Sequence, residues 1–279
     1  MAKVYVGPAG VPIGLKGKRS TLDGIKYVKD IGLNAMEVEF VRGVRMSVAD
    51  AENAGKLAKE IGVRLSVHAP YFINLCSDKS DTVEASIKRL MESLERGEAM
   101  GATVVVFHPA YYGKLGPEGC YNAVKEGVLR IIDWMRENGI KNVKLGLEVM
   151  ARRSQFGGLE ETFKLVKEVN HPQVVAVVDW GHVYARNGGS IDYRAVLSMW
   201  REYFSNQPMH THFTAVKYRN GEWVDEHEPI DTNNPPFEPL AQELAKEDLE
   251  VTLICESPLL EQDALKMKDM LLKYGNIIA

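Results

Sequence analysis

Short runs rich in β-branched residues alternate with longer amphipathic stretches along the whole chain. Eight such runs stand out: Val4–Val6, Ala35–Phe40, Arg64–Val67, Thr103–Phe107, Val143–Leu147, Val174–Val178, Met209–Phe213 and Val251–Cys255. Between them, apolar positions recur at helical spacing near Leu22–Ile31, Val48–Ile61, Asp81–Met100, Glu118–Asn138, Leu159–Val169, Tyr193–Phe204, Phe237–Lys246 and Gln262–Tyr274. Ser20, Ser47 and Ser80 stand where helix N-caps are needed. Eight strands, each followed by a helix, predict an α/β fold, a single (β/α)8 TIM barrel. A doubly wound open sheet is the rival, and it would ordinarily carry a Gly-rich phosphate turn after its first strand. Val6–Gly14 reads VGPAGVPIG, which has glycines but no G-x-G-x-x-G.

No Pro/Ser-rich linker, low-complexity tract or charge block divides the chain, although Pro235-Pro236 punctuates a longer polar excursion after the seventh strand. Residues 1–279 are therefore read as one TIM-barrel domain. With 45% hydrophobic and 26% charged residues, the composition is that of an ordinary folded protein. No apolar run approaches the roughly 20 residues a membrane-spanning helix needs. The N-terminus has no apolar segment before a small-residue cleavage site. Cys76, Cys120 and Cys255 are too few and too scattered for a disulfide framework or a four-thiolate zinc site, so a reducing, cytoplasmic location is expected. A net charge of −4 removes any global argument for nucleic-acid binding and leaves that question to local charge.

The polar residues carry the chemistry. In a barrel the C-terminal strand ends converge on one mouth. The third predicted strand runs into His68, the fourth into His108, the fifth into Glu148, and the sixth into Asp179 with His182 just beyond. His212 lies at the end of the seventh, Glu256 follows the eighth, and Asp225 and His227 occur in the excursion between them. A lone histidine at a strand end is commonly a structural, hydrogen-bonded residue, and a lone carboxylate there is commonly a helix cap. Together, five of the seven histidines and four carboxylates would share one mouth. Such a cluster would repel itself and carry a heavy desolvation cost unless divalent cations neutralised it. Imidazole and carboxylate without thiolate suit zinc, manganese or iron(II), and nine ligands exceed what one four-coordinate ion can use. His171, in a helix-to-strand turn at the opposite end, is read as structural; His210, a layer deeper than His212, is left out of the set.

At these residues the sequence resembles the endonuclease IV family, the class II apurinic/apyrimidinic endonucleases of the xylose-isomerase-like barrels. The segment VHAPYFINL (Val67–Leu75) is close to that family's most recognisable stretch. FHPA (Phe107–Ala110), GLE (Gly146–Glu148), DWGH (Asp179–His182) and CESP (Cys255–Pro258) follow in order. The resemblance implies a site of about three zinc ions. His68, His108 and Glu148 would hold the first; Glu148, Asp179, His212 and Glu256 the second; His182, Asp225 and His227 the third. It implies phosphodiester hydrolysis 5′ to abasic sites in damaged double-stranded DNA, with a metal-activated hydroxide and with Glu148 or Glu256 orienting or deprotonating the nucleophile. It implies no obligate protein partner. Tyr71 matches a tyrosine that inserts into DNA, with a packing role at the barrel rim as the alternative; Arg42 is offered as the accompanying arginine, with Arg45 equally placed.

Local charge points the same way. Lys16, Lys18, Arg19, Arg42, Arg45, Lys114, Arg152, Arg153 and Arg186 fall in predicted mouth loops with no acidic residue among them apart from the candidate ligands, which predicts a basic rim. The chain departs from the family's pattern at VMARRSQFGG (Val149–Gly158), HFTAVK (His212–Lys217) and EPIDTNNPP (Glu228–Pro236). Two other classes therefore stay open: a sugar isomerase or epimerase of the same superfamily, and a non-catalytic nucleic-acid-binding relative.

Overall fold

The computed structural model describes residues 1–17 and 19–279; Lys18, one of the predicted rim cations, lies outside the described residues. Eight parallel strands form the central sheet: β1 (Lys3–Pro8), β2 (Ala35–Glu39), β3 (Arg64–His68), β4 (Val104–Phe107), β5 (Lys144–Glu148), β6 (Val174–Asp179), β7 (Met209–Phe213) and β8 (Glu250–Cys255). The order β1-β8-β7-β6-β5-β4-β3-β2 curls the sheet into a TIM barrel. Nine helices are described: α1 (Thr21–Asp30), α2 (Val48–Ile61), α3 (Ser80–Met100), α4 (Gly116–Glu137), α5 (Leu159–Val169), α6 (Trp180–Arg186), α7 (Tyr193–Phe204), α8 (Glu238–Leu244) and α9 (Glu261–Lys273).

The eight predicted strands and eight predicted helices match within a few residues at each end, and α6 has no predicted counterpart. Ser20 and Ser47 cap α1 and α2, accepting from Asp23 N at 3.1 Å and Asp50 N at 3.0 Å. Ser80 does not cap α3. It occupies the first helical position, Lys79 is the N-cap, and no side chain satisfies the helix there.

The barrel closes along a narrow seam between β1 and β2. Asn34 makes the join: its Oδ1 accepts from Val6 N at 2.7 Å, its own N–H donates to Val6 O, and its Nδ2 donates to Ala279 O. Higher up, Gly10 N donates to Glu37 O at 2.8 Å. Gly7 is required here, because a Cβ at that position would lie 1.6 Å from Ala35 O. Below the seam the C-terminal pair Ile277–Ile278 adds to β1 beside Lys3 and Val4.

Two further features escaped the periodicity reading. Residues Ala215–Arg219 and Glu222–Glu228 form an antiparallel hairpin within the polar excursion. Its tip, Asn220-Gly221, has both residues at positive φ, the two-residue Asn-Gly turn that hairpins favour. A short ribbon pairs Ala110–Tyr111 with Gln155–Phe156 and ties the β4 and β5 loops together. Against the expectation of a reducing location with no disulfide framework, Cys76 and Cys120 are joined as a disulfide linking the β3–α3 loop to α4. Sequence spacing hid this, since tertiary folding brings the two Cα atoms to 5.1 Å across a separation of 44 residues. No described helix is long and apolar enough to cross a membrane.

Candidate metal centre

All nine residues singled out as ligands meet at the C-terminal mouth, in three groups whose ligand atoms each lie within 4.8 Å of one another: His68–His108–Glu148, Glu148–Asp179–His212–Glu256, and His182–Asp225–His227. Glu148 is fully buried at the end of β5 and belongs to two of them. Its Oε2 faces His68 Nε2 at 3.2 Å and His108 Nε2 at 3.0 Å. Its Oε1 faces His182 Nδ1 at 3.3 Å and His212 Nδ1 at 3.2 Å.

Local structure aims each side chain. Asp179 ends β6 and caps α6, its Oδ1 accepting from His182 N at 2.7 Å, so the first turn of that helix carries His182 over the cluster. Gly181, the third residue of DWGH, has no room for a Cβ, which would stand 2.7 Å from Thr214 O. Asp225 and His227 lie on the second hairpin strand, where the register shift opposite Val216 and Lys217 leaves Asp225 and Glu226 unpaired in the ladder. Such a bulge turns a strand locally. Asp225 Oδ1 stands 3.2 Å from both His182 Nε2 and His227 Nε2. Backbone carbonyls hold one ring nitrogen of three histidines: Ala69 O at His68 Nδ1, Val149 O at His182 Nδ1 and Glu256 O at His227 Nδ1, each at 2.8 Å. A carbonyl that accepts from Nδ1–H fixes the tautomer of a neutral imidazole in which Nε2 carries the free lone pair.

The donors fit divalent ions. Zinc–nitrogen and zinc–oxygen bonds of about 2.1 Å around a tetrahedral centre separate neighbouring ligand atoms by about 3.4 Å. Within the groups, N···O separations of 3.0–3.5 Å approach that edge. Several of these close atoms are buried without any hydrogen-bond partner among the described residues, including Asp179 Oδ2, His182 Nε2 and Asp225 Oδ1. Native interiors rarely leave such atoms orphaned. Each group brings its ligand atoms within 4.8 Å of one another, close enough to share a cation.

Charge is distributed accordingly. Burial opposes ionisation of Glu148, but His108 and His212 outweigh it and hold the carboxyl well below its ordinary range. Burial likewise opposes the charged form of His68, yet the bond to Glu148 and the charge of Glu39 push it up to about 10. Burial, helped by Glu256 and Glu148, raises Asp179 to about 7. Without ions, neighbouring carboxylates hold His68, His182, His212 and His227 toward their protonated forms, and cations entering the cluster would displace those protons.

Two acidic residues were missed. Glu37 and Glu39 on β2 point into the barrel at alternate positions of an otherwise apolar run, a period-two signal that was legible in AMEVEF. Glu37 is fully buried; it accepts from Ser66 Oγ at 2.7 Å, faces His210 Nε2 at 3.0 Å and approaches His212 Nε2 to 2.9 Å. His210 thus lies a layer deeper, as expected, yet it forms a further group with Glu37 and His212. His171 stays in the α5–β6 turn, its Nδ1 accepting from Gln173 N.

At the rim, Tyr71 is half exposed, its ring 6.0 Å from those of His68 and His108, and Phe72 beside it is 61% exposed. Arg42 and Arg45 are both exposed and line a hollow of about 510 Å³ beside Glu39. The uniformly basic rim needs correction. Lys114 is paired with Asp78 at 2.6 Å, because the β3–α3 loop folds next to it. Arg186 is turned into its own loop, donating to Met150 O, Arg152 O and Gln155 O. Lys16, Arg19, Arg42, Arg45, Arg152 and Arg153 have no carboxylate partner among the described residues.

An α/β barrel whose mouth gathers imidazoles and carboxylates that could hold metal ions defines a class that comparison makes specific. Residues 25–274 match the xylose isomerase-like TIM barrel family, and the chain belongs to that family. An uncharacterized protein of Methanocaldococcus jannaschii is 35% identical over 93% of each chain. The probable endonuclease 4 of Bacillus subtilis is 25% identical over 93% of this chain and 90% of that one. Among solved structures, endonuclease IV from Thermus thermophilus superposes with a TM-score of 0.73 at 21% identity, covering 96% of this chain and 98% of that one. A D-tagatose 3-epimerase-like protein superposes with 0.72 at 20% identity, covering 98% and 96%. These last two show the shared fold.

Proposed function

We propose that the chain is a metal-dependent phosphodiesterase that cleaves the DNA backbone 5′ to abasic sites, with residues 1–279 acting as one domain. The observation that carries this reading is the convergence of nine donors into three neighbouring groups, two of which share Glu148 while His182 of the third faces it at 3.3 Å. Relatives named probable endonuclease 4 support it. Zinc ions, about three per chain, would be held by those groups, with manganese or iron possible at some of them; when bound they supply a nucleophile at neutral pH and neutralise charge on the phosphate and leaving oxygen. The chain's own residues have distinct tasks. Glu148 and Glu256 belong to the same group, with ligand oxygens within 4.8 Å of one another, and would orient the attacking group or take its proton. Tyr71, exposed above His68 and His108, offers a ring against an unstacked nucleotide, and Arg42 offers a cation to the backbone beside it.

A ketose epimerase is the second reading, favoured by the epimerase-like structural neighbour. One ion at Glu148–Asp179–His212–Glu256 would serve it, whereas His182–Asp225–His227 would have no task. The test is incubation of purified protein with a duplex carrying one abasic analogue and, separately, with ketohexoses. Chelator-sensitive cleavage 5′ to the lesion, lost in Glu148→Gln, is expected. Sugar turnover with intact duplex would overturn the proposal.

A further inference from the structure

Away from the candidate ligands, a groove of about 730 Å³ runs between the loop after β5, the end of α6 and the outer face of the hairpin. Arg152 and Arg153 line one wall, both exposed and without a carboxylate partner among the described residues. Tyr218 and Trp223 line the other, their rings 5.2 Å apart, with Tyr218 58% exposed. Glu222 at the hairpin end is the acidic member of the lining; Arg219 is spoken for by Glu226 at 3.0 Å.

Both walls are built rather than loosely placed. Trp223 is half-buried, packed edge-on against Tyr184 at 4.9 Å. It sits on Gly189, where a Cβ would fall 2.0 Å from its indole nitrogen. The arginine loop is held from beneath by Arg186, whose guanidinium donates to three of its carbonyls, and by Glu161, which accepts from Gly157 N and Gly158 N. Little ordering is left to be done when a ligand arrives.

We propose that this groove binds an unpaired nucleic-acid strand, its phosphates on Arg152 and Arg153 and a base on Tyr218 beside Trp223. The choice of a nucleic acid rests on the phosphodiesterase reading. The choice of a single strand rests on the aromatic wall, because a duplex keeps its base faces stacked while an unpaired base has a free face for a tyrosine ring. Paired cations opposite two adjacent aromatic rings, tilted 58° to one another with the Tyr218 face exposed, match a backbone with its bases turned to one side.

The test uses metal-loaded protein and a nuclease-resistant phosphorothioate oligothymidine. Tryptophan fluorescence should be quenched on binding, and Trp223→Phe should remove the quench. Arg152→Ala/Arg153→Ala should lower the slope of log affinity against log salt by about 1.4, two phosphate contacts at about 0.7 each on a single strand. Tyr218→Ala should weaken binding tenfold or more with the salt slope unchanged, about the loss of one base stack. Melting temperatures of the variants confirm that these surface changes leave the fold intact. Wild-type affinity and slope in the double arginine variant would overturn the proposal, as would equal quenching by a blunt duplex. Cleavage of abasic duplex, measured in parallel, separates the two readings: quenching without cleavage sinks the phosphodiesterase and leaves the groove, whereas cleavage without quenching sinks the groove alone.

Discussion

Asp179 divides its two oxygens between the fold and the cluster. Oδ1 caps α6 through His182 N, and Oδ2 is buried with no hydrogen-bond partner among the described residues. Asparagine caps a helix as well as aspartate does, so Asp179→Asn keeps the first function and removes the charge needed for the second. In ion-free protein, burial together with Glu256 and Glu148 raises the Asp179 carboxyl to about 7 from 3.8. A raised acid favours the fold fully below its unfolded value and loses that advantage as pH climbs through the folded one. At pH 8, keeping this aspartate therefore costs the ion-free fold at most about 4 kcal/mol, three units at about 1.4 each. With an unfolding entropy of about 2 cal/mol/K per residue, Asp179→Asn should then raise the melting temperature of chelator-treated protein by up to roughly 7 °C. At pH 5 the gain should shrink to less than half, because most of the penalty has not yet developed. In zinc-reconstituted protein the sign should reverse. The variant loses a donor, and an ion present at a hundredfold excess over its dissociation constant stabilises by about 3 kcal/mol. Calorimetry of both preparations, with metal analysis, measures all of this. An equal destabilisation with and without ions, or an unchanged metal content, would refute the assignment of Oδ2 to an ion.

Two predictions concern the scaffold. Burial opposes the charge of Glu98, but amide bonds from Val143, Asn142 and Lys141 outweigh it and hold the carboxyl below its usual 4.5. Glu98→Gln should cost about 1 kcal/mol at pH 7, the amide hydrogen bonds being discounted because solvent reaches the carboxylate, and the difference from wild type should narrow as pH falls below the ordinary carboxylate range; a gap that stays constant in urea midpoints down to pH 3.5 would contradict the pairing. Thiol titration of denatured, unreduced protein should find one free cysteine, Cys255, since Cys76 and Cys120 are joined. Reduction should destabilise by about 4 kcal/mol for the loop of 44 residues, whereas three titratable thiols before reduction would remove the bridge.

The alternation of β-branched runs with amphipathic stretches was enough to place eight strands, and six of the nine nominated donors stand at their C-terminal ends, with His182, Asp225 and His227 in the loops that follow, because a parallel barrel sends every strand end to one rim. DWGH also carried local information, since an aspartate cap fixes the residue three positions on whatever the rest of the chain does. Other features required the whole molecule. Glu37 and His210 are 173 residues apart, and only barrel closure through Gly7 and Asn34 sets them 3.0 Å from one another. Sequence shows that Lys114 and Arg186 are cations; it does not show that a neighbouring loop brings Asp78 to the first, or that the second is spent on carbonyls. Strand and helix periodicity follows from contacts a few residues apart, whereas charge compensation, disulfide pairing and the aromatic–arginine groove depend on which loops the closed sheet makes neighbours.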